Sequence, residues 1–248
     1  MMKKLLFIAL LFFSNESFAQ PKIITHRGHW DIENGAHNSL SSLFRAHEIG
    51  AFGTEFDIWL TSDGELVVFH DETINNVPIA TSTYEELKDL KISNGEVLPT
   101  LDNFLVFAKN FPDLRLILEV KSNIKGEDYA EKVAKSVVEK VEEHELSHRT
   151  DFIAFSLDIC KQLAKIRPNL NIAYLSGDKS PEELSLLGIN YHQSMFFQNP
   201  ELVKQAQDNG LTVNVWTVND PENMQRLIKM GVDYITTDNP IALKKLID

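Results

Sequence analysis

The chain has 248 residues, with 24 lysines and arginines against 36 aspartates and glutamates, a formal net charge of -12. A hydrophobic fraction of 43% suffices for a buried core and excludes a disordered chain, while the acidic balance excludes a non-specific nucleic-acid binder, which needs cations to neutralise phosphates. The one cysteine, Cys160, excludes an internal disulfide and a cysteine-rich zinc site, and burial is its expected fate.

Residues 1–19 read as a secretory signal peptide. Lys3 and Lys4 precede an apolar run over 5–13, and Ser17-Phe18-Ala19 forms a small-x-small cleavage site. The run is too short to span a bilayer comfortably. Cleavage after Ala19 is expected to leave 20–248 as a single domain, exported to the periplasm or secreted, with no stable membrane insertion. From there short apolar runs alternate with amphipathic stretches. A strand is predicted over 22–25 and a helix over 38–49, with Asn38 or Ser39 as its cap. Extended runs follow at 53–59 and 65–69, the second after a Ser62-Asp63-Gly64 turn. Helices are predicted at 83–90 and 101–109, a strand at 115–120 and a long charged helix at 127–143. A strand over 152–155, a helix over 157–166 and strands over 171–175, 188–191, 211–218 and 234–236 complete the pattern. The last four helices, at 181–187, 200–209, 221–230 and 240–247, each begin with proline, which suits a first helical turn. Residues 192–197 read as an apolar loop.

Eight strand-then-helix units in a chain of this length predict a single-domain (β/α)8 TIM barrel, typically about 250 residues. The runner-up, an open doubly wound sheet, calls for a glycine-rich G-x-G-x-x-G turn, and Arg27-Gly28-His29 lacks that spacing. Barrel chemistry sits where strands end. The first strand runs into His26-Arg27-Gly28, the second carries Glu55 and Asp57, the short run after it ends in His70-Asp71, and the third barrel strand ends in Glu119-Val120-Lys121. Side chains two apart on a strand share a face, so Glu55 pairs with Asp57 and Glu119 with Lys121. Three carboxylates make a hard oxygen site suited to Ca2+ or Mg2+. His26 and His70 supply an acid–base pair near neutral pH, and Arg27 and Lys121 an anion clamp. Cation, acid–base pair and anion clamp together read as phosphoryl chemistry on an ester. On the seventh strand, Trp216 either packs against a substrate or serves the core; Asp71 is expected to orient His70 or a nearby loop.

The chain resembles the glycerophosphodiester phosphodiesterase family. The resemblance rests on His26-Arg27-Gly28, Asn38, the stretch from Gly50 through Glu55-Phe56-Asp57, and that from Thr61 through His70-Asp71. It continues through Leu98-Pro99-Thr100-Leu101, Leu118-Glu119-Val120-Lys121, Val215-Trp216-Thr217-Val218-Asn219 and the run from Gly231 to Asp238. It implies a (β/α)8 barrel that hydrolyses glycerophosphodiesters to glycerol 3-phosphate and an alcohol. By the same resemblance Glu55, Asp57 and Glu119 hold the metal, His26 and His70 exchange protons, and Arg27 and Lys121 contact phosphate. Attack by a neighbouring glycerol hydroxyl would form a cyclic phosphate that water then opens. One position departs from the family pattern: His37 stands before Asn38 where an acidic residue is usual. The alternatives are a phospholipase-type phosphodiesterase on the same barrel and a non-catalytic phosphodiester-binding protein.

Overall fold

A computed structural model describes residues 19–184 and 188–248. The predicted signal peptide, apart from Ala19, lies outside the described residues, as does the end of the helix expected at 181–187. The first strand, β1 (Lys22–Thr25), leads into α1 (Leu40–Glu48) and then β2 (Gly53–Leu60). Three short strands follow, β3 (Leu66–Val68), β4 (Thr73–Ile74) and β5 (Val77–Pro78), with helices α2 (Tyr84–Leu87) and α3 (Leu101–Ala108). The regular alternation resumes with β6 (Arg115–Val120), α4 (Glu127–Glu143), β7 (Thr150–Ala154), α5 (Leu157–Ile166), β8 (Asn171–Tyr174) and α6 (Pro181–Leu184). It ends with β9 (Gly188–His192), α7 (Gln193–Gln198), α8 (Glu201–Asp208), β10 (Val213–Trp216), α9 (Pro221–Met230), β11 (Tyr234–Thr237) and α10 (Pro240–Ile247).

Strands β1, β11, β10, β9, β8, β7, β6 and β2 pair in that order, all parallel, and β1 pairs with β2 to close the ring. This is the predicted (β/α)8 barrel, with strand alternation dividing its side chains between two cores. Outward residues such as Phe56, Leu118, Phe152 and Val215 pack beneath the helices. Inward Ile24, Ile117, Ile153 and Leu175 meet on the axis and plug the barrel. Every residue of β2 is buried, because one face meets helices and the other the plug and the site.

Helix entries follow local chemistry. Ser39, Thr100, Ser156 and Asp220 cap α1, α3, α5 and α9 by accepting from the backbone N–H three residues on. Pro221 and Pro240 occupy first turns as expected, whereas Pro200 stands before α8 as its cap residue. Gly231 ends α9 at φ 75°, the left-handed cap that favours glycine.

Three local expectations are corrected. Residues 192–197 are not a loop: α7 forms there, capped by His192, whose Nδ1 accepts from the Ser194 N–H. The helix expected at 83–90 is one turn, α2, held by a Thr83/Glu86 capping box. Between His70 and that turn the chain makes a β4–β5 hairpin, with Asn75 and Asn76 at φ 51° and 65° in the two-residue turn. Together with β3, which runs antiparallel onto the projecting end of β2, this insertion has its own small core of Trp59, Val67, Ile74, Ile79, Leu87 and Leu98. Cys160 is buried, as expected, and burial pushes its thiol up to about 12. Among the described residues no helix is long and apolar enough to cross a membrane.

Candidate active site

Register creates the carboxylate cluster. Pairing of β2 with β6 sets Asp57 opposite Glu119, and Glu55 lies on the same face two residues before Asp57. All three are buried, and one ligand oxygen from each lies within 4.8 Å of the others. Asn38, with φ 58°, does not cap α1; its amide donates to Asp57 Oδ2 at 2.8 Å while its Oδ1 accepts the Asp57 N–H at 3.1 Å. The Arg27 N–H donates to Glu55 Oε2 at 2.8 Å. Arg27 itself sits at φ 58°, and Gly28 follows at φ 82°, where a Cβ would meet Ser42 Oγ at 2.2 Å. Only glycine lets the chain turn so tightly over α1 and aim that amide inward.

Lys121 Nζ lies 3.0 Å from Asp57 Oδ1 and 2.7 Å from Glu119 Oε1, and Arg27 Nε lies 3.8 Å from Asp57 Oδ2. Two cations against three buried carboxylates leave an excess of negative charge. Burial, then Asp57 and Glu119, push Glu55 well above the ordinary carboxylate range. Burial and Asp57 raise Glu119 to about 7, against the pull of Lys121. Burial acts on Asp57 in the same sense, but Lys121, His70, Asn38 and Arg27 outweigh it and hold Asp57 low. Glu55 Oε1 is buried and accepts no hydrogen bond from any of the described residues. An unmatched buried carboxylate oxygen beside two more carboxylates is the donor set of a hard divalent cation, so the residues fit such an ion.

The histidines flank this cluster. His26 follows β1, and its Nδ1 lies 2.8 Å from Oδ1 of Asp238, which follows the neighbouring strand β11. Asn219 holds Asp238 by two bonds, from its amide to Oδ2 and from the Asp238 N–H to its Oδ1, and the Trp30 indole donates to Oδ1. His70 reaches the mouth because β3 folds back on β2; the Phe69 N–H donates to the Asp57 carbonyl and the Trp59 indole to the His70 carbonyl. Its Nδ1 lies 2.7 Å from Asp71 Oδ1, as the sequence predicted. Burial lowers His70 despite the Asp57 charge. His37, at the position that departs from the family pattern, packs edge-on against Trp30 with ring centroids 3.8 Å apart.

A deep cavity of about 130 Å³ brings together His26, Arg27, Glu55, His70, Glu119, Lys121 and Trp216. Asp57 lies beneath it. Trp216 is therefore a wall of the site; its indole donates to the Asn190 carbonyl, and its ring meets Phe155 and His192 edge-on. A larger cavity, about 680 Å³, opens at the other end of the barrel around Lys22, Arg115, Asp151 and Tyr234, and contains none of these residues. All eight residues expected at the site thus converge on one mouth. Sequence reasoning missed Asp238, Asn219 and the clamp by Asn38. The first two stood in motifs without a role, although Asp238 satisfies the same strand-end rule that found His26.

An eight-stranded parallel barrel whose C-terminal mouth joins two histidines to a carboxylate cluster has the architecture of a barrel enzyme. The sequence pattern of the glycerophosphoryl diester phosphodiesterase family matches residues 26–242, and the chain belongs to that family. A glycerophosphodiester phosphodiesterase of Caldanaerobacter subterraneus subsp. tengcongensis is 32% identical over 241 residues, covering 91% of this chain and 97% of the relative. The crystal structure of a glycerophosphodiester phosphodiesterase from Parabacteroides distasonis shares 44% identity at a TM-score of 0.89, covering 92% of this chain and 97% of the other. A phosphodiesterase from Oleispira antarctica, solved with its product sn-glycerol-3-phosphate, shares 26% identity at a TM-score of 0.79, covering 92% and 97%.

Proposed function

We propose that the protein is a divalent-metal-dependent phosphodiesterase that hydrolyses glycerophosphodiesters to glycerol 3-phosphate and an alcohol. The observation that carries this reading is the buried trio Glu55, Asp57 and Glu119 placed between two carboxylate-bound histidines. These three residues hold the cation, Ca2+ or Mg2+, which supplies Lewis-acid polarisation of the phosphoryl oxygens. Arg27 and Lys121 face the phosphate from the same cavity and counter its charge. Trp216 supplies an apolar wall for the glycerol carbons.

Asp238 and Asp71 each take an imidazole Nδ1–H, which leaves Nε2 of His26 and His70 free for the substrate. One Nε2 accepts the proton of the glycerol hydroxyl next to the ester as that oxygen attacks phosphorus. The other, protonated, gives its proton to the departing alcohol oxygen as the P–O bond breaks. Water then adds to the cyclic phosphate with the two roles reversed, yielding glycerol 3-phosphate. The product bound to the Oleispira antarctica relative supports this outcome.

The test is glycerol 3-phosphate release from glycerophosphocholine and glycerophosphoethanolamine with Ca2+, with Mg2+ and with chelator. His26→Ala and His70→Ala are each expected to lower kcat by about 10²–10⁴ with the unfolding temperature retained. Full activity in either variant removes that histidine from the chemistry. Cleavage of intact phospholipid alone would replace the reading with a phospholipase, and binding without turnover with a capture protein.

A further inference from the structure

The segment from Arg27 to Asn38 is tied to the carboxylate cluster at both ends. The Arg27 N–H donates to Glu55 Oε2 and the Asn38 amide to Asp57 Oδ2, and the ends meet where the Asn38 N–H donates to the Arg27 carbonyl at 3.0 Å. Trp30 lies inside this closed loop and is held on three sides. Its carbonyl accepts the Ile32 N–H at 2.7 Å, and Gly35 returns so tightly across that carbonyl that a Cβ there would stand 1.7 Å from the oxygen. Its ring meets the His37 ring edge-on at 84°, an arrangement that aromatic quadrupoles favour. Its indole N–H donates to Asp238 Oδ1 at 3.2 Å, the same oxygen that takes His26 Nδ1 at 2.8 Å.

The terminal torsion of an aspartate is soft, so a carboxylate held at one oxygen swivels. Asn219 holds Asp238 at Oδ2 and at its backbone N–H. The Trp30 indole adds the second point, at Oδ1, and two points fix the carboxylate plane. His26 then finds its acceptor in one direction. The other histidine lacks this brace: the Asp71 side chain is 70% exposed, against 20% for Asp238, and its partner among the described residues is His70. His37 in turn keeps the indole in place. Burial, then the Arg27 charge, hold His37 below the ordinary imidazole range, so a neutral ring faces Trp30 near neutral pH. An acidic side chain, usual at this position in the family, has no ring to set against an indole.

We infer that Trp30, braced by His37, is a positioning residue for the reaction: it locks the Asp238 carboxylate in the plane that keeps the His26 proton on Nδ1 and turns Nε2 to the substrate. Neither Trp30 nor His37 lines the deep cavity, so their effect reaches the chemistry through Asp238 and His26. The inference rests on the proposed reaction and adds the part that aims one of its two histidines.

The experiment reads kcat and KM for glycerophosphocholine, beside the imidazole nitrogen NMR shifts of His26 and His70, in the full chain and in Trp30→Phe, His37→Ala and His37→Phe. Trp30→Phe keeps a ring for His37 and removes the indole N–H. It is expected to lower kcat about tenfold, the low end of what a lost supporting partner costs, with KM little changed. The His26 shifts are expected to move toward a mixture of tautomers while those of His70 stay. His37→Ala is expected to move the His26 shifts in the same sense and lower kcat about threefold, and His37→Phe, which returns a ring to the indole, to restore it. His26 shifts unmoved in both Trp30→Phe and His37→Ala overturn the inference whatever the rates do, since a merely structural loss lowers activity without retuning one imidazole. A His37→Phe rate as low as that of His37→Ala removes His37 from the inference. If the wild-type chain releases no glycerol 3-phosphate, the reaction reading falls and the shifts alone decide: movement at His26 in Trp30→Phe upholds the positioning, and none removes it.

Discussion

Asp238 illustrates how a site residue works through another. Its carboxylate receives His26, Trp30 and Asn219 at once, and although burial would raise it, the His26 bond and its other partners hold it low and ionised. Asp238→Asn keeps the shape but ceases to fix the imidazole proton on Nδ1. Loss of such a partner typically costs 10–100-fold, and kcat is expected to fall by about that factor with KM little changed, as steady-state kinetics would register. The metal cluster makes a separate prediction about pH. Glu55 and Glu119 are raised, Glu119 to about 7. Folded protein without metal therefore binds protons that the unfolded chain, with ordinary carboxylates, has already lost. Between the ordinary carboxylate value and about 7, this contribution stabilises the metal-free fold as pH falls. A cation competes with those same protons, so its affinity is expected to weaken as pH drops from 8 to 6. Calorimetric Ca2+ and Mg2+ titrations at the two pH values check it; equal affinities would contradict the cluster. The carboxylate trio was legible in the sequence because i, i+2 spacing on strands fixes a face. Asn38 was not, because its part depends on a positive φ and on a partner strand, neither of which composition reveals.

At the scale of elements, the joint between α3 and β6 depends on one buried cation. Arg149, immediately before β7, donates to the carbonyls of Ala108, Phe111 and Leu114 at 2.7, 3.2 and 2.5 Å. These carbonyls belong to the helix end and the turn into β6, where Ala108 and Phe111 also accept one turn N–H each, from Phe111 and Leu114. Arg149→Leu removes the partner of the Leu114 carbonyl and one of two partners of the Ala108 and Phe111 carbonyls, and about 1–3 kcal/mol of stability is expected to go; urea unfolding measures it, and a loss below 0.5 kcal/mol would refute the assignment. The barrel strands and long helices were readable because their periodicities are strong; β6, α4 and α5 fall on the predicted bounds. What escaped lies where side chains follow a neighbour rather than a period. The hairpin β4–β5 has two-residue strands, too short for an alternation to show. Helix α7 carries Met195, Phe196 and Phe197 in succession, a pattern that reads as a buried loop until the Tyr191 ring and the adjoining helix cover Phe196.

For the whole molecule, the leading segment makes the simplest prediction. If residues 1–19 direct export as the sequence reads, the protein recovered from the periplasm or medium begins at Gln20, which N-terminal sequencing determines; a chain retained inside the cell with Met1 intact contradicts it. The next strand, β1, has no stable place until both neighbours exist, since it pairs with β2 on one side and β11 on the other. The site lies across that seam: His26 and Asp238 are 212 positions apart in sequence and 2.8 Å apart in space. This gives the enzyme a built-in order of assembly. A ribosome that has made the first half of the protein has already made both histidines, all three clustered carboxylates and Lys121, yet the partner that sets His26 is among the last residues to be synthesised. An unfinished or prematurely terminated chain carries nearly every part of the site and lacks the one that orients it, so competence arrives only with the final turn of the ring.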